Sequence, residues 1–190
     1  MNLSDTVNVD KALATLTLAF IADPFTRWAF PDAQSYITNY PNFIRYFGSP
    51  AFDNKLVLQD EGGGAVALWS PPNTIHDEEK LGELIVETMQ EVKIQEIVSV
   101  GEQLSELKPK DPHWHLTFLG VDPAKQGSGL GGKILSKSMT QCGIDGTPAY
   151  LETANPSNLP FYERQGFRLI GEAQSGSSPI FYGMVRCDST

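Results

Sequence analysis

The residues 121–135, VDPAKQGSGLGGKIL, carry the chain's densest run of glycine, and three anion-binding patterns overlap in it. Gly127, Gly129 and Gly132 give G-x-G-x-x-G, a dinucleotide fingerprint. Gly127 to Lys133 gives G-x-x-x-x-G-K, a phosphate loop with Ile134 where a hydroxyl residue belongs. Gln126 to Gly131 gives Q-x-x-G-x-G. All three rest on one physics: a glycine turn running into a helix N-terminus presents unpaired N–H groups and a positive dipole end to an anion. The phosphate-loop reading lacks the hydroxyl that would hold Mg²⁺, because Ile134 cannot supply it. The dinucleotide reading has an acidic residue, Glu152, at a suitable distance. However, DPAKQ separates Val121 from the first glycine, and too little chain remains for the extra α/β units.

The surrounding elements follow from periodicity. Asn8 can cap a helix with Val9, Leu13, Leu16 and Phe20 on one face, ended by Pro24. An aromatic-rich region follows; more than half of the aromatic residues lie between Phe20 and Phe52. KLVLQD, EGGG and AVALWS read as strand, turn and strand, closed by Pro71 and Pro72. Helical spacing then runs from Glu78 to about Leu107, with Gly101 as a possible break. HLTFLGV is a strand leading into the glycines, and Leu130, Ile134, Leu135 and Met139 mark the helix after them. AYLETA is a strand, NLPFYERQ a short helix ended by Gly166, and FRLIGEA with IFYGMVR an antiparallel pair. The order predicts a single α/β domain with a mixed sheet.

The chain has 190 residues and a formal net charge of −9. Such acidity argues against nucleic acid as a partner. Against that background, Pro123 to Gly143 contains no Asp or Glu but does contain Lys125, Lys133 and Lys137. The apolar run Ala12 to Ala22 is too short and too threonine-rich for a membrane span. The N-terminus, with Asp5 and Asp10, lacks a basic leader, so a cytoplasmic location is expected. Cys142 and Cys187 have neither metal-ligand nor CxxC spacing, and no metal is expected.

LGVDPAKQGSGLG followed by YLETANPSNLPFYERQGF resembles the GNAT superfamily of acetyl-CoA-dependent N-acetyltransferases, over Trp114 to Arg186. AVALWSPP, the acidic helical insert and KPKDPHW extend the likeness to the puromycin N-acetyltransferase-like group. The resemblance implies an α/β (α+β) fold: a mixed, mostly antiparallel twisted sheet flanked by helices and splayed at its central strands. Residues 1–190 would form one domain, with an acceptor-side half, 1–112, carrying the insert at about 78–108. The second half, 113–190, would bind acetyl-CoA. The family opens on a strand before its first helix, and here Met1 to Val7 leave little room for one.

By motif position, Gln126, Gly127, Ser128, Gly129, Leu130, Gly131 and Gly132 would hold the pyrophosphate. The backbone of Leu119, Gly120 and Val121 would pair with the pantetheine arm as an added strand. Tyr162 aligns with the tyrosine that protonates the departing thiolate. Asn158 and Asn155 are candidate cofactor contacts, and Asn158 is also a good helix cap. Glu152 is the first candidate for a general base. His113 and His115 line the strand's approach. Phe25, Trp28, Phe30, Tyr46, Trp69 and His115 are candidates for the acceptor pocket. The implied activity is acetyl transfer to the primary amine of a small molecule by a monomer or homodimer. A peptide or lysine acetyltransferase and a non-catalytic acetyl-CoA sensor are the alternatives. A closed aromatic pocket would favour the first, an open groove the second.

Overall fold

The structure is a computed structural model and describes residues 7–144 and 146–187. Met1–Thr6, including Asp5 and the room for an opening strand, lie outside the described residues. Helix α1 (Val9–Ala19) starts where Asn8 Oδ1 accepts from the Lys11 N–H at 2.9 Å. Pro24 does more than stop it. Proline's fixed φ and missing N–H suit a first helical turn, and Pro24 opens α2 (Pro24–Ala29). The aromatic region continues as α3 (Ala33–Phe47) and α4 (Ser49–Asp53).

The hairpin is β1 (Val57–Gln59) and β2 (Ala65–Ser70). The acidic insert forms α5 (Glu78–Thr88) and α6 (Glu91–Leu107). The break falls at Met89–Gln90, whereas Gly101 lies inside α6, where a Cβ would meet nothing within 4 Å. Then follow β3 (Trp114–Val121), α7 (Leu130–Cys142), β4 (Ala149–Thr153), α8 (Leu159–Arg164), β5 (Arg168–Ala173) and β6 (Phe181–Arg186).

The six strands lie in the order β1-β2-β3-β4-β6-β5, antiparallel except for β3 beside β4. One face carries α1 and α3, whose Leu13, Leu16, Tyr40 and Ile44 pack with Val66, Leu68 and Phe118. The other carries α7 and α8, whose Ile134, Leu135 and Tyr162 pack with Trp69, Leu116 and Leu151. The insert spans between layers: α5 packs on α3, and α6 on β5 and β6.

Two irregularities in β3 shape the site. Leu68 faces Phe118 while Trp69 faces Leu116, so Thr117 is an extra residue against β2. Such a bulge re-aims the side chains beyond it. Here it sends Leu116 and Phe118 to opposite cores, and Thr117 Oγ1 bonds the Ser70 hydroxyl at 2.7 Å. Beside β4, pairing consists of Trp114 with Ala149 and His115 with Tyr150. Beyond that point the strands part, so the sheet is splayed at its centre as expected.

Gly120 fixes how closely α1 approaches the parted strand. A Cβ there would lie 2.8 Å from Leu16 Cδ2 and 2.9 Å from Ala19 Cβ. Gly120→Ala is therefore expected to push α1 outward and to cost about 1–3 kcal/mol, as overpacking does. Urea unfolding checks it: an unchanged midpoint would mean that α1 has slack the packing does not show.

Candidate active site

The parted strands open into a cavity of about 310 Å³, at the lower end of the range for small-ligand pockets. Its floor is Leu116 to Leu119 of β3 and Glu152 to Ala154 at the end of β4. Its walls are aromatic: Phe20, Phe25, Phe30, Tyr40, Phe43 and Phe47. The insert roofs it with Leu81, Ile85, Met89, Ile97, Val100 and Leu104. Tyr162 and Asn158 enter from the other layer, at the parting of the strands.

Tyr162 is buried at 8% exposure, and among the described residues its hydroxyl forms no hydrogen bond. Burial pushes its phenol above the ordinary value and the negative charge of Asp23 adds to the effect, so the proton stays on at neutral pH. Asn158 does not cap α8 with its side chain; its Nδ2 donates to Thr153 Oγ1 at 3.3 Å. Asn155 instead caps the 3-10 turn Pro156–Asn158 that precedes α8, its Oδ1 accepting from the Ser157 N–H at 3.0 Å.

Glu152 lies between two partners. Its Oε2 accepts from His115 Nε2 at 2.6 Å, and its Oε1 lies 3.4 Å from Lys108 Nζ at the end of α6. Burial works to raise its carboxyl, but His115 and Lys108 together outweigh that and bring it down to about 2. A carboxylate held this firmly as an anion is a poor proton acceptor at neutral pH. Its position suits it to orient His115 and anchor the insert. His76 lines the cavity with its ring 4.4 Å from that of Phe47; burial, with the nearby His115 and Lys108, lowers its pKa to about 4. It is uncharged at neutral pH.

The pocket candidates divide. Phe25 and Phe30 line the cavity, and His115 is buried beneath it against Phe47. Trp69 does not line it: the alternation of β2 puts it, with Ala65 and Ala67, on the α7 face, where Nε1 donates to Ser138 Oγ at 2.8 Å. Tyr46 lies outside, under Lys80. Trp28 stands behind the wall, bonding Ser177 Oγ at 3.1 Å with Lys93 over its ring. His113 precedes β3, its ring against Tyr150.

The glycine turn lies at the other end of β3. Gly127 and Gly129 have φ of 75° and 78°, a region glycine enters without a Cβ clash. Gly129 begins α7, and no side chain caps the helix or adds an acid to its first turn. A Cβ on either glycine would meet nothing within 4 Å, so the cradle is open space bounded by main chain. Ser128 Oγ donates to Lys125 O at 2.6 Å, closing the turn. Gln126 does not extend into this space, because its Nε2 donates to Val121 O at 3.2 Å. Of the acid-free lysines, Lys125 lies over the β1–β2 turn, bonding Gly62 O. Lys133 and Lys137 instead line a groove with Gly129, Gly132, Phe161 and Arg164.

Sequence alone misses Asp23, His76 and Lys108, which join the cavity through long-range packing. Asp23-Pro24 is a readable helix-start signal, but nothing local says that it borders a pocket.

The acetyltransferase (GNAT) domain family matches residues 66–185, and the chain belongs to that family. It is 39% identical over 62 residues to an uncharacterized N-acetyltransferase of Schizosaccharomyces pombe, a stretch covering 32% of this chain and 25% of that protein. Two solved structures share the fold. One is that of histone acetyltransferase HPA2 and related acetyltransferase from Corynebacterium glutamicum, at TM-score 0.68 and 18% identity, covering 100% of this chain and 96% of that one. The other is arylalkylamine N-acetyltransferase 2 from Aedes aegypti, at TM-score 0.65 and 15% identity, covering 100% of both chains.

Glu152 also predicts a pH dependence of stability. Its folded carboxyl titrates at about 2 against an ordinary 4.5, so the contribution is complete above the ordinary value and is lost as pH falls toward the folded one. Glu152→Gln should lower stability at neutral pH by on the order of 3 kcal/mol and flatten the acid limb. Urea midpoints across that pH interval test this; parallel acid limbs in the two proteins would exclude the role.

Proposed function

We propose that the protein transfers an acetyl group from acetyl-CoA to the primary amine of a small molecule. The observation that carries this reading is the roofed aromatic cavity at the parting of β3 and β4. An acceptor bound there is enclosed by α2, α3, α5 and α6, a shape suited to a small amine more than to an extended peptide.

The residues present fit acetyl-CoA. Past His115, the β4-facing edge of β3 has no strand partner, so the backbone of Leu119, Gly120 and Val121 is available to a peptide-like arm. The uncapped start of α7 offers the N–H groups of Leu130, Gly131 and Gly132 to a pyrophosphate. Lys133, Lys137 and Arg164 give the adjoining groove a positive lining. Acetyl-CoA would supply the activated acyl group. A backbone N–H of the parted β3 would polarise its carbonyl, the neutral amine would attack, the Tyr162 hydroxyl would donate its proton to the departing sulfur, and the proton lost by the amine nitrogen would restore Tyr162 through solvent.

Acetylation of a peptide or protein amine is the second reading, since the Corynebacterium glutamicum structure carries a histone acetyltransferase name. The test is free-thiol release from acetyl-CoA across a panel of arylalkylamines, polyamines and lysine peptides. Turnover with peptides alone would overturn the small-amine reading.

Tyr162→Phe keeps the buried ring and removes the proton. It is expected to lower kcat by about 10²–10⁴-fold while calorimetric affinity for CoA is retained. A Phe variant with wild-type turnover would assign the acid role elsewhere.

A further inference from the structure

Two carboxylates line the cavity, and they differ in what balances them. Glu152 is matched by Lys108 and His115. Asp23 has no cation within salt-bridge distance among the described residues. Its Oδ1 caps α2, accepting from the N–H groups of Phe25 at 3.0 Å and Thr26 at 3.3 Å. Its Oδ2 has no hydrogen-bond partner among the described residues. The basic side chains of adjacent segments are committed to main chain: Arg27 donates to Pro31 O at 2.7 Å, and Lys93 to Trp28 O at 2.6 Å. The two N–H bonds offset only part of the cost of holding this anion beside apolar rings, since burial still raises its carboxyl above the ordinary value, and a cation beside it would lower that cost.

We propose that Asp23 is the acceptor-docking residue, its free oxygen taking the ammonium of a primary amine whose apolar or aromatic body lies among Phe25, Phe30, Tyr40 and Phe43. The proposal rests on the small-amine reading above and names the chemical class within it. Three features support it. The carboxylate and the rings line one cavity. Aromatic faces also attract a cation electrostatically, so walls and carboxylate select the same charge. Asp23 and Tyr162 line that same cavity, so a docked ammonium shares it with the hydroxyl that would protonate the sulfur.

The role differs from that of a helix cap, and the test separates the two. Asparagine caps as well as aspartate does, so Asp23→Asn keeps α2 and removes the charge. Phenethylamine is a cation at neutral pH; O-benzylhydroxylamine has nearly the same shape and is neutral. The expected result is a rise of about 10- to 100-fold in KM for phenethylamine, with KM for O-benzylhydroxylamine and for acetyl-CoA nearly unchanged. Equal effects on both acceptors would overturn the docking role. Should the variant not fold, wild-type inhibition decides. Phenethyltrimethylammonium should inhibit more strongly than its uncharged tert-butyl analogue, and equal inhibition would overturn the proposal. A wild-type enzyme that acetylates neither acceptor, while turning over peptides, would instead remove the small-amine reading beneath it.

Discussion

The site depends on an interruption in hydrogen bonding: β3 and β4, parallel neighbours at the centre of the sheet, pair over two residues and then part. Main-chain N–H and C=O groups left open inside a protein are expensive, so a fold keeps such a gap only where something else takes the bonds. The gap leaves one edge of β3 exposed from Leu116 onward, beside the glycine turn at its end. The residue inserted at Thr117 belongs to the same distortion, sending Leu116 and Phe118 to opposite cores just where the strands separate. Around that break the two layers meet, which is how Tyr162 of one layer and Phe43 of the other come to line one cavity.

The charged groups at the break are arranged to hold it open without leaving bare charge. Glu152 ties the floor of the cavity to His115 on the neighbouring strand and to Lys108 at the foot of the roof. That triangle joins the two strands and the roof through side chains, while the main-chain groups of the parted edge keep no strand partner. A carboxylate satisfied in this way is a structural strut. Among the described residues, the polar groups of the cavity without such partners include the phenol of Tyr162, the imidazole of His76 and one oxygen of Asp23.

Much of this could be read from the chain. The periodicity of Leu13 and Leu16, the EGGG turn, the helix beginning within the glycines and the NPSNLPFYERQG segment each specify structure by local rules, and those elements are where the sequence put them. The pocket lining was less legible. Trp69 belongs to a strand beside the cavity, but it follows Ala65 and Ala67 onto the α7 face, and nothing local says on which face of β2 the cavity lies. Tyr46 shares a helix with Phe43 but not its face of the cavity. Glu152 is a base candidate by its place on the strand before the motif helix. The ion pair that quiets it comes from Lys108, more than forty residues earlier. Asp23 was hidden for the opposite reason: its local role as a cap is so complete an explanation of Asp-Pro that nothing pointed further.

The roof has one further consequence. Its two helices give the cavity aliphatic side chains from Leu81 to Leu104, while the groups with protons or charges to exchange come from α2, the loop before α5, β3, β4 and α8. Among the described residues, the salt bridge from the roof to these groups is that of Lys108, just past the end of α6. Shape and reactivity are thus encoded in separable stretches of chain. Exchanges among Leu, Ile, Met and Val along α5 and α6 can redraw the outline of what fits while the transfer machinery stays as it is. Substitutions confined to one acidic insert thus reshape the cavity without touching the groups at the parting of the strands.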